Sequence, residues 1–311
     1  MSKILSLCSG YGGLDLAVEE HFTGSHTAYW SDIDPSACDI MTARFPDAEP
    51  VGDLTQFGDR KFDCSILVAG YPCQPFSQAG KRLGENDEQG RHLWPYIANT
   101  ISVSRPRWVI LENVAGHLTL GGPTVVGTLA RLGYRTRFGL VSASAAGAPH
   151  QRKRWFCVAT DTDGSSGETR VDTRCDSELL RKEPLGSAAP SSDSDSMGTG
   201  RGRYGQIPSS SGEGKEGTQQ RQRVWDAVEH GSPTAWGKYA TAIHRWENIL
   251  GRPAPPPVKD NKLSAHFVEW MMGLEKNWVC GIVESRAKAL TTLGNGVVPQ
   301  QGLLALRELT S

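Results

Sequence analysis

The 311-residue chain has no apolar run approaching the roughly 20 residues that a membrane-crossing helix needs, so none of its helices is expected to span a bilayer. Its opening, "MSKILSLCSGYGG", reaches Gly10 after only a few apolar residues, too few for a secretory leader, and the expected location is the cytoplasm. Seven cysteines are scattered without a CxxC pair, which argues against both a disulfide framework and a thiolate metal site. Charge of one sign is also lacking. The formal net charge of −1 gives no global attraction to a polyanion, although a balanced total can still contain a local basic cleft. No internal repeat is visible.

What is present begins with alternation. "KILSL" (Lys3–Leu7) reads as a buried strand, and Leu14, Ala17 and Val18 after a glycine turn suit a helix face. "HTAYW" predicts a second strand and "PSACDIMTARF" a helix with Pro35 in its first turn. "DCSILVAG" and "RWVILENV" predict further strands, separated by the helical "LWPYIANTISV". This order implies an α/β fold with a mostly parallel, doubly wound sheet, and a ligand at the carboxyl ends of the strands. Residues 1–160 make up that domain. Residues 161–222 are rich in Ser, Gly, Asp and Arg and are expected to be a flexible, low-complexity insertion. Residues 223–283 regain helical spacing in "VWDAVEH", "WGKYATAIHRWENILG" and "SAHFVEWMMGL", with the stiff "RPAPPP" (Arg252–Pro257) between, and form a smaller unit. Residues 284–311 contain "GNGVVPQ", a glycine turn feeding a last helix.

Several strand ends carry chemistry. In "SGYGG" (Ser9–Gly13) glycines let the backbone approach a ligand, and the following helix start leaves N–H groups free. The turn lacks the GxGxxG fingerprint and by itself reads equally well as a tight connection. Asp32 in "WSDID" closes the second strand, where a carboxylate can accept both hydroxyls of a ribose. Asp53 in "GDLTQ" can accept from an adenine amino group while Leu54 packs on the ring. Three such features on successive strand ends point to an adenosine-containing cofactor. "GYPCQPFS" sets Cys73 between Pro72 and Gln74, with Pro75 next. Prolines fix their own φ and restrict the residue before them, so this loop holds one thiol in one direction. "LENVAG" places Glu112 and Asn113 at the end of an apolar strand, where desolvation raises a carboxyl's pKa and lets it donate a proton near neutrality. In "HQRKRWFCVA", Arg152 and Arg154 alternate into a strand and so share a face, where two guanidiniums can grip a phosphate or a base carbonyl.

The ordered set GxGG, D-x-D, GD, GYPCQPFS, ENV, RxR and GNGVVPQ resembles the cytosine-5 DNA methyltransferase family, from Ile4 to about Ala159 and again from Leu263 to about Glu308. The resemblance implies an S-adenosylmethionine-dependent methyltransferase fold with a smaller, partly disordered target-recognition region. It implies that Cys73 attacks C6 of a flipped-out cytosine as a thiolate, that Glu112 protonates N3 and that Arg154 holds the base carbonyl. Arg152 would support the thiol loop and a phosphate, and Gln74 and Asn113 complete the catalytic set. S-adenosylmethionine would be held by Ser9, Gly10, Tyr11, Gly12, Gly13, Asp32, Ile33, Asp53, Leu54, Pro72, Leu93, Asn295 and Val297, the last two folding back from late in the chain. The implied partner is double-stranded DNA, with a cognate restriction endonuclease as a second. A monomer without metal or membrane, of prokaryotic or phage origin, is expected.

Four positions depart from the family's pattern. Cys8 stands where many members have phenylalanine, Ser6 where aspartate is frequent, Asp32 where glutamate is usual and His150 where glutamine is usual. They bear on cofactor affinity, since the catalytic set is complete. Val224–Lys262 is the compact candidate for base recognition. Its Lys238, Arg245 and Arg252, and Arg223 just before it, can meet phosphate or guanine, or equally lie on a solvated face. Three other readings compete. A tRNA cytosine-5 methyltransferase shares the PCQ and ENV chemistry. A degenerate DNA-binding protein should have lost Cys73 or Glu112, and a thiol-redox enzyme needs a resolving cysteine near Cys73. The target sequence is not legible.

Overall fold

A computed structural model describes residues 1–72, 93–162 and 233–311. Cys73 and Gln74 lie outside the described residues, as do Arg223, "VWDAVEH" and all but the first two residues of the 161–222 stretch. Strands β1 (Ser2–Leu7), β2 (Ser25–Ser31), β3 (Glu49–Pro50), β4 (Ile66–Gly70), β5 (Trp108–Val114), β6 (Tyr134–Ser142) and β7 (Lys153–Asp161) form one sheet in the order β3-β2-β1-β4-β5-β7-β6. Helices α1 (Gly13–His21), α2 (Pro35–Arg44), α3 (Trp94–Ser104), α4 (His117–Leu120), α5 (Gly122–Arg131), α6 (Ala240–Leu250), α7 (Ala265–Met271), α8 (Arg286–Asn295) and α9 (Pro299–Thr310) accompany it among the described residues.

The expected doubly wound sheet is present. β1 to β5 pair in parallel, and β7 runs antiparallel between β5 and β6. The two-residue period of a strand sends Ile4, Ile66, Val68, Ile110, Phe156 and Val158 to one face, where Leu14, Ala17 and Val18 of α1 and Ala305, Leu306 and Leu309 of α9 cover them. Leu5, Leu7, Leu67, Ala69, Val109, Leu111, Trp155 and Cys157 face the other way, under Ile97 and Ile101 of α3 and Val125 and Leu129 of α5. Burial on both faces is why these strands read as unbroken apolar runs. Local chemistry agrees at α2: the Asp34 carboxylate accepts from the backbone N–H of Ser36 and Ala37 at 2.9 and 3.1 Å, and Pro35 occupies the first turn.

Residues 233–283 share a core with the sheet domain. Ile243 and Trp246 of α6, Trp270 of α7 and Val279 are buried with Tyr11, Ile40, Ala143 and Val298. The Trp246 indole N–H donates to the Trp270 carbonyl at 3.0 Å. Arg245 donates to the Gly147 carbonyl at 3.2 Å and moors α6 to the sheet domain, while Arg252 donates to the Leu274 carbonyl and ties the segment after α6 to the loop after α7. Glu269 of α7, 2% exposed, accepts from the backbone N–H of Asn277, Val279 and Cys280 at 2.9, 2.7 and 2.8 Å and braces the loop that follows. No helix among the described residues is long and apolar enough to cross a membrane.

Candidate active site

The parallel strands end along one edge, and the reversal of β7 brings its first residues to that edge. Glu112 lies beside Gly70 of β4, and in the β5–β7 register Val114 faces Arg154 while Glu112 faces Phe156. Alternation therefore puts the Glu112 and Arg154 side chains diagonally on the same face, with Nε 3.0 Å from Oε1. Glu112 is 6% exposed, and burial pushes its pKa up to about 7, outweighing the opposing pull of Arg154 and Arg152. A carboxyl in that state is a proton donor at neutral pH.

Asn113 points to the opposite face. Its Nδ2 donates to the Tyr71 carbonyl at 3.0 Å and its Oδ1 accepts from the backbone N–H of Val114 at 2.9 Å. Tyr71 is the residue before Pro72, which is exposed at the margin of the described chain. The Tyr71 hydroxyl shares a 2.9 Å hydrogen bond with Nε2 of His117. Neither residue was singled out from sequence: Tyr71 lies within the GYPCQPFS motif without an assigned role, and His117 lies in none of the motifs.

Arg152 precedes β7 with φ at 27°, so strand alternation does not govern it. Its guanidinium donates to the carbonyls of Gly294 and Gly296 at 2.8 and 2.5 Å, tying the arginine pair to the "GNGVVPQ" turn. Gln301, fully buried and unnoticed in the sequence, donates from Nε2 to the carbonyls of Val141 and Arg152 at 2.8 and 2.7 Å and holds the same junction. His150 contacts the Met271 carbonyl through Nε2 at 3.0 Å.

The glycine turn and the next strand ends form a cradle. Gly10, at φ 57°, donates its N–H to Oδ2 of Asp32 at 2.9 Å, and Oδ1 of Asp32 accepts from Asp34 N at 2.9 Å. Each Asp32 oxygen keeps a lone pair for a hydroxyl, and the space where a Gly10 side chain would stand is open. Ile33, 76% exposed, presents an uncovered apolar side chain next to it. Asp53 caps the short 3-10 turn Leu54–Gln56 through Thr55 N at 2.9 Å, and Leu54 is buried. Tyr11, wholly buried, donates its hydroxyl to the Val297 carbonyl at 2.6 Å, while Gly13 has no room for a Cβ against that same carbonyl. Ser9 donates its N–H to Ser31 O at 3.3 Å. Asn295 is exposed at the end of α8, and Leu93 is half-buried before α3. Cys8 adopts φ 53°, and burial with the charges of Asp32 and Asp53 pushes its thiol up to about 12, so it packs as a neutral group. An open glycine backbone, a carboxylate with spare lone pairs and a bare apolar side chain fit an adenosine.

The model of the C-5 cytosine-specific DNA methylase family matches residues 2–303. The type II methyltransferase M.NlaIV of Neisseria lactamica is 34% identical over 175 residues, covering 51% of this chain and 41% of that protein. M1.ScrFI of Lactococcus lactis subsp. cremoris is 38% identical over 165 residues, again 51% and 41%. The chain thus spans about two fifths of the length of these curated relatives. Among solved structures, S. pombe Dnmt2 methyltransferase aligns over 99% of both chains with a TM-score of 0.59 at 18% identity. A putative DNA modification methyltransferase encoded within an E. coli prophage aligns over 100% of this chain and 99% of its own, with a TM-score of 0.58 at 18% identity. At such identities the likeness concerns the fold. The family's model, however, follows this chain from the first strand into the last helix, and the chain belongs to the C-5 cytosine-specific DNA methylase family.

Proposed function

We propose that the chain is a DNA (cytosine-5-)-methyltransferase that moves a methyl group from S-adenosylmethionine to C5 of a cytosine flipped out of duplex DNA, through a covalent adduct on Cys73. The observation that carries this reading is Glu112: a buried carboxyl held at about 7, bound to Arg154, and one strand away from the segment that leads to Cys73.

As the Cys73 thiolate adds to C6, negative charge accumulates on the pyrimidine at N3 and the neighbouring carbonyl. Glu112, protonated, gives its proton to N3 and removes that charge. Arg154 uses Nε on Glu112 and has further N–H groups for the base carbonyl. S-adenosylmethionine supplies an electrophilic methyl group. Ser9 to Gly13, Asp32, Ile33, Asp53, Leu54, Pro72, Leu93, Asn295 and Val297 would hold it. Loss of the C5 proton to solvent and expulsion of the Cys73 thiolate, with N3 returning its proton to the Glu112 carboxylate, restore the neutral aromatic ring and the acid. The cytosine leaves the helical stack because C6 is out of reach within it. In this reading residues 1–160 catalyse, 223–283 recognise the target, 161–222 are the insertion between them and 284–311 return to the catalytic domain. The chain acts as a monomer, with a cognate restriction endonuclease as the counterpart of its activity.

Incubation with methyl-labelled cofactor and either unmethylated duplex DNA or tRNA tests the reading. Label should enter DNA as 5-methylcytosine, at sites that bisulfite sequencing then identifies. The protein should also form a denaturation-resistant complex with 5-fluorocytosine duplexes that Cys73→Ser does not form. Label confined to tRNA, or transfer by Cys73→Ser at the normal rate, would overturn it.

A further inference from the structure

We propose that His117 is a positioning residue for methyl transfer: through its hydrogen bond to the Tyr71 hydroxyl it fixes the residue from which the chain passes to Pro72 and Cys73. The proposal rests on the function proposed above. Tyr71 is 6% exposed, and hydrogen bonds at its carbonyl and its hydroxyl are among the contacts that hold it. Its carbonyl accepts from Asn113 Nδ2 at 3.0 Å, which orients the peptide plane joining it to Pro72. Pro72 fixes its own φ and keeps Tyr71 out of the helical region. One freedom that these leave is the swing of the Tyr71 side chain, whose ring also packs against Trp94 at 5.9 Å, with the backbone that moves with it. His117 removes this freedom through the 2.9 Å bond to the hydroxyl, with the two rings edge to face at 5.5 Å.

His117 is itself immobilised. Its ring lies edge-on to Trp155 at 5.0 Å, and a side chain on Gly121 would collide with it. Burial holds its pKa down to about 4, so the imidazole stays neutral through the physiological range and the bond does not titrate there. A buried hydroxyl–imidazole pair among apolar side chains is costly unless it is satisfied, so it specifies one orientation where packing alone would tolerate several. The anchors also have informative neighbours. Asn113 adjoins Glu112 and Trp155 adjoins Arg154, each pair pointing to opposite faces of the sheet. The start of the thiol segment is thereby referenced to the same two strands that carry the acid and the arginine. Such registration matters because a misplacement of about 1 Å between reacting groups can cost on the order of 100-fold in rate.

Tyr71→Phe keeps the ring and removes only the hydroxyl. With the full chain, saturating labelled S-adenosylmethionine and unmethylated genomic duplex DNA, its single-turnover rate should fall by about 10- to 100-fold. Dissociation constants for cofactor and DNA should stay within about twofold. His117→Ala should lose a similar factor, and Tyr71→Phe combined with His117→Ala should lose no more than His117→Ala alone. His117→Gln, whose amide reaches toward the place of Nε2, should recover part of the rate. Wild-type rate in Tyr71→Phe, multiplying losses in the double variant, or losses confined to binding constants or melting temperature would overturn the proposal. Should Tyr71→Phe fail to fold, equal rates for His117→Gln and His117→Ala would do so. A wild-type protein that transfers no methyl to DNA defeats the functional reading, whereas an active wild type indifferent to Tyr71→Phe defeats this inference alone.

Discussion

The Nε of Arg154 lies 3.0 Å from Oε1 of Glu112, yet burial outweighs that cation and leaves the carboxyl's pKa raised to about 7. Glu112 is therefore protonated below about pH 7 and ionised above it. The methyl-transfer rate at saturating substrates should decline above about pH 7 as the acid form is lost. Glu112→Gln should abolish that declining limb and lower the rate by about 10²–10⁴-fold. Folding is linked with the same sign. A carboxyl whose pKa rises from 4.5 to about 7 on folding makes stability fall as pH increases between those values and stay flat above them. Denaturant titrations at several pH values should show that Glu112→Gln lacks this fall.

Asp32→Ala should weaken S-adenosylmethionine binding by about 1–3 kcal/mol, the cost of leaving buried hydroxyls and the Gly10 N–H without an acceptor. Turnover of bound cofactor should change less. An unchanged dissociation constant in calorimetry would place the ribose elsewhere.

Gly13→Ala drives a methyl group into the Val297 carbonyl. Backbone on both sides of the contact must shift, which should cost about 1–3 kcal/mol and lower the melting temperature. Cofactor affinity should fall with it, since the turn and the late segment meet at this point. A variant with normal melting temperature and affinity would mean that the two segments separate easily.

Arg252 donates to the Leu274 carbonyl with Glu269 and Glu275 near enough to act on its charge. Arg252→Glu removes the bond and gathers three carboxylates, so thermal stability should drop by about 1–3 kcal/mol. A phosphate-contacting arginine behaves otherwise. It would lose DNA affinity at unchanged stability, which melting and salt-dependent binding curves distinguish.

Much of the sheet was legible because parallel strands buried on both faces leave continuous apolar runs, as in Ile4–Leu7 and Ile66–Ala69. β6 (Tyr134–Ser142) was not, because as an edge strand it exposes Arg135 and Arg137 and carries Gly139. α4 and α5 were hidden by the glycines around them. Strand periodicity has no direction, so the reversal of β7, which delivers Arg154 to Glu112, could not be read in advance. In the site, Glu112, Asn113, Arg154, Asp32 and the glycine turn followed from motif order. Gln301 and the Tyr71–His117 bond depend on contacts 160 and 46 residues apart and leave no local signal. Arg245 and Arg252, which the sequence offered equally as DNA contacts or as a solvated face, each have a backbone carbonyl as acceptor, that of Gly147 and that of Leu274.

The bond from Tyr11 to the Val297 carbonyl joins residues 286 positions apart. A ribosome making this chain at about 5–20 residues per second therefore delivers the glycine turn roughly 15–60 s before the segment that closes it. During that interval the first strands can pair while the turn still lacks the carbonyl against which Tyr11 and Gly13 are fixed. The fit between the glycine turn and the late segment is therefore completed only once synthesis has passed Val297.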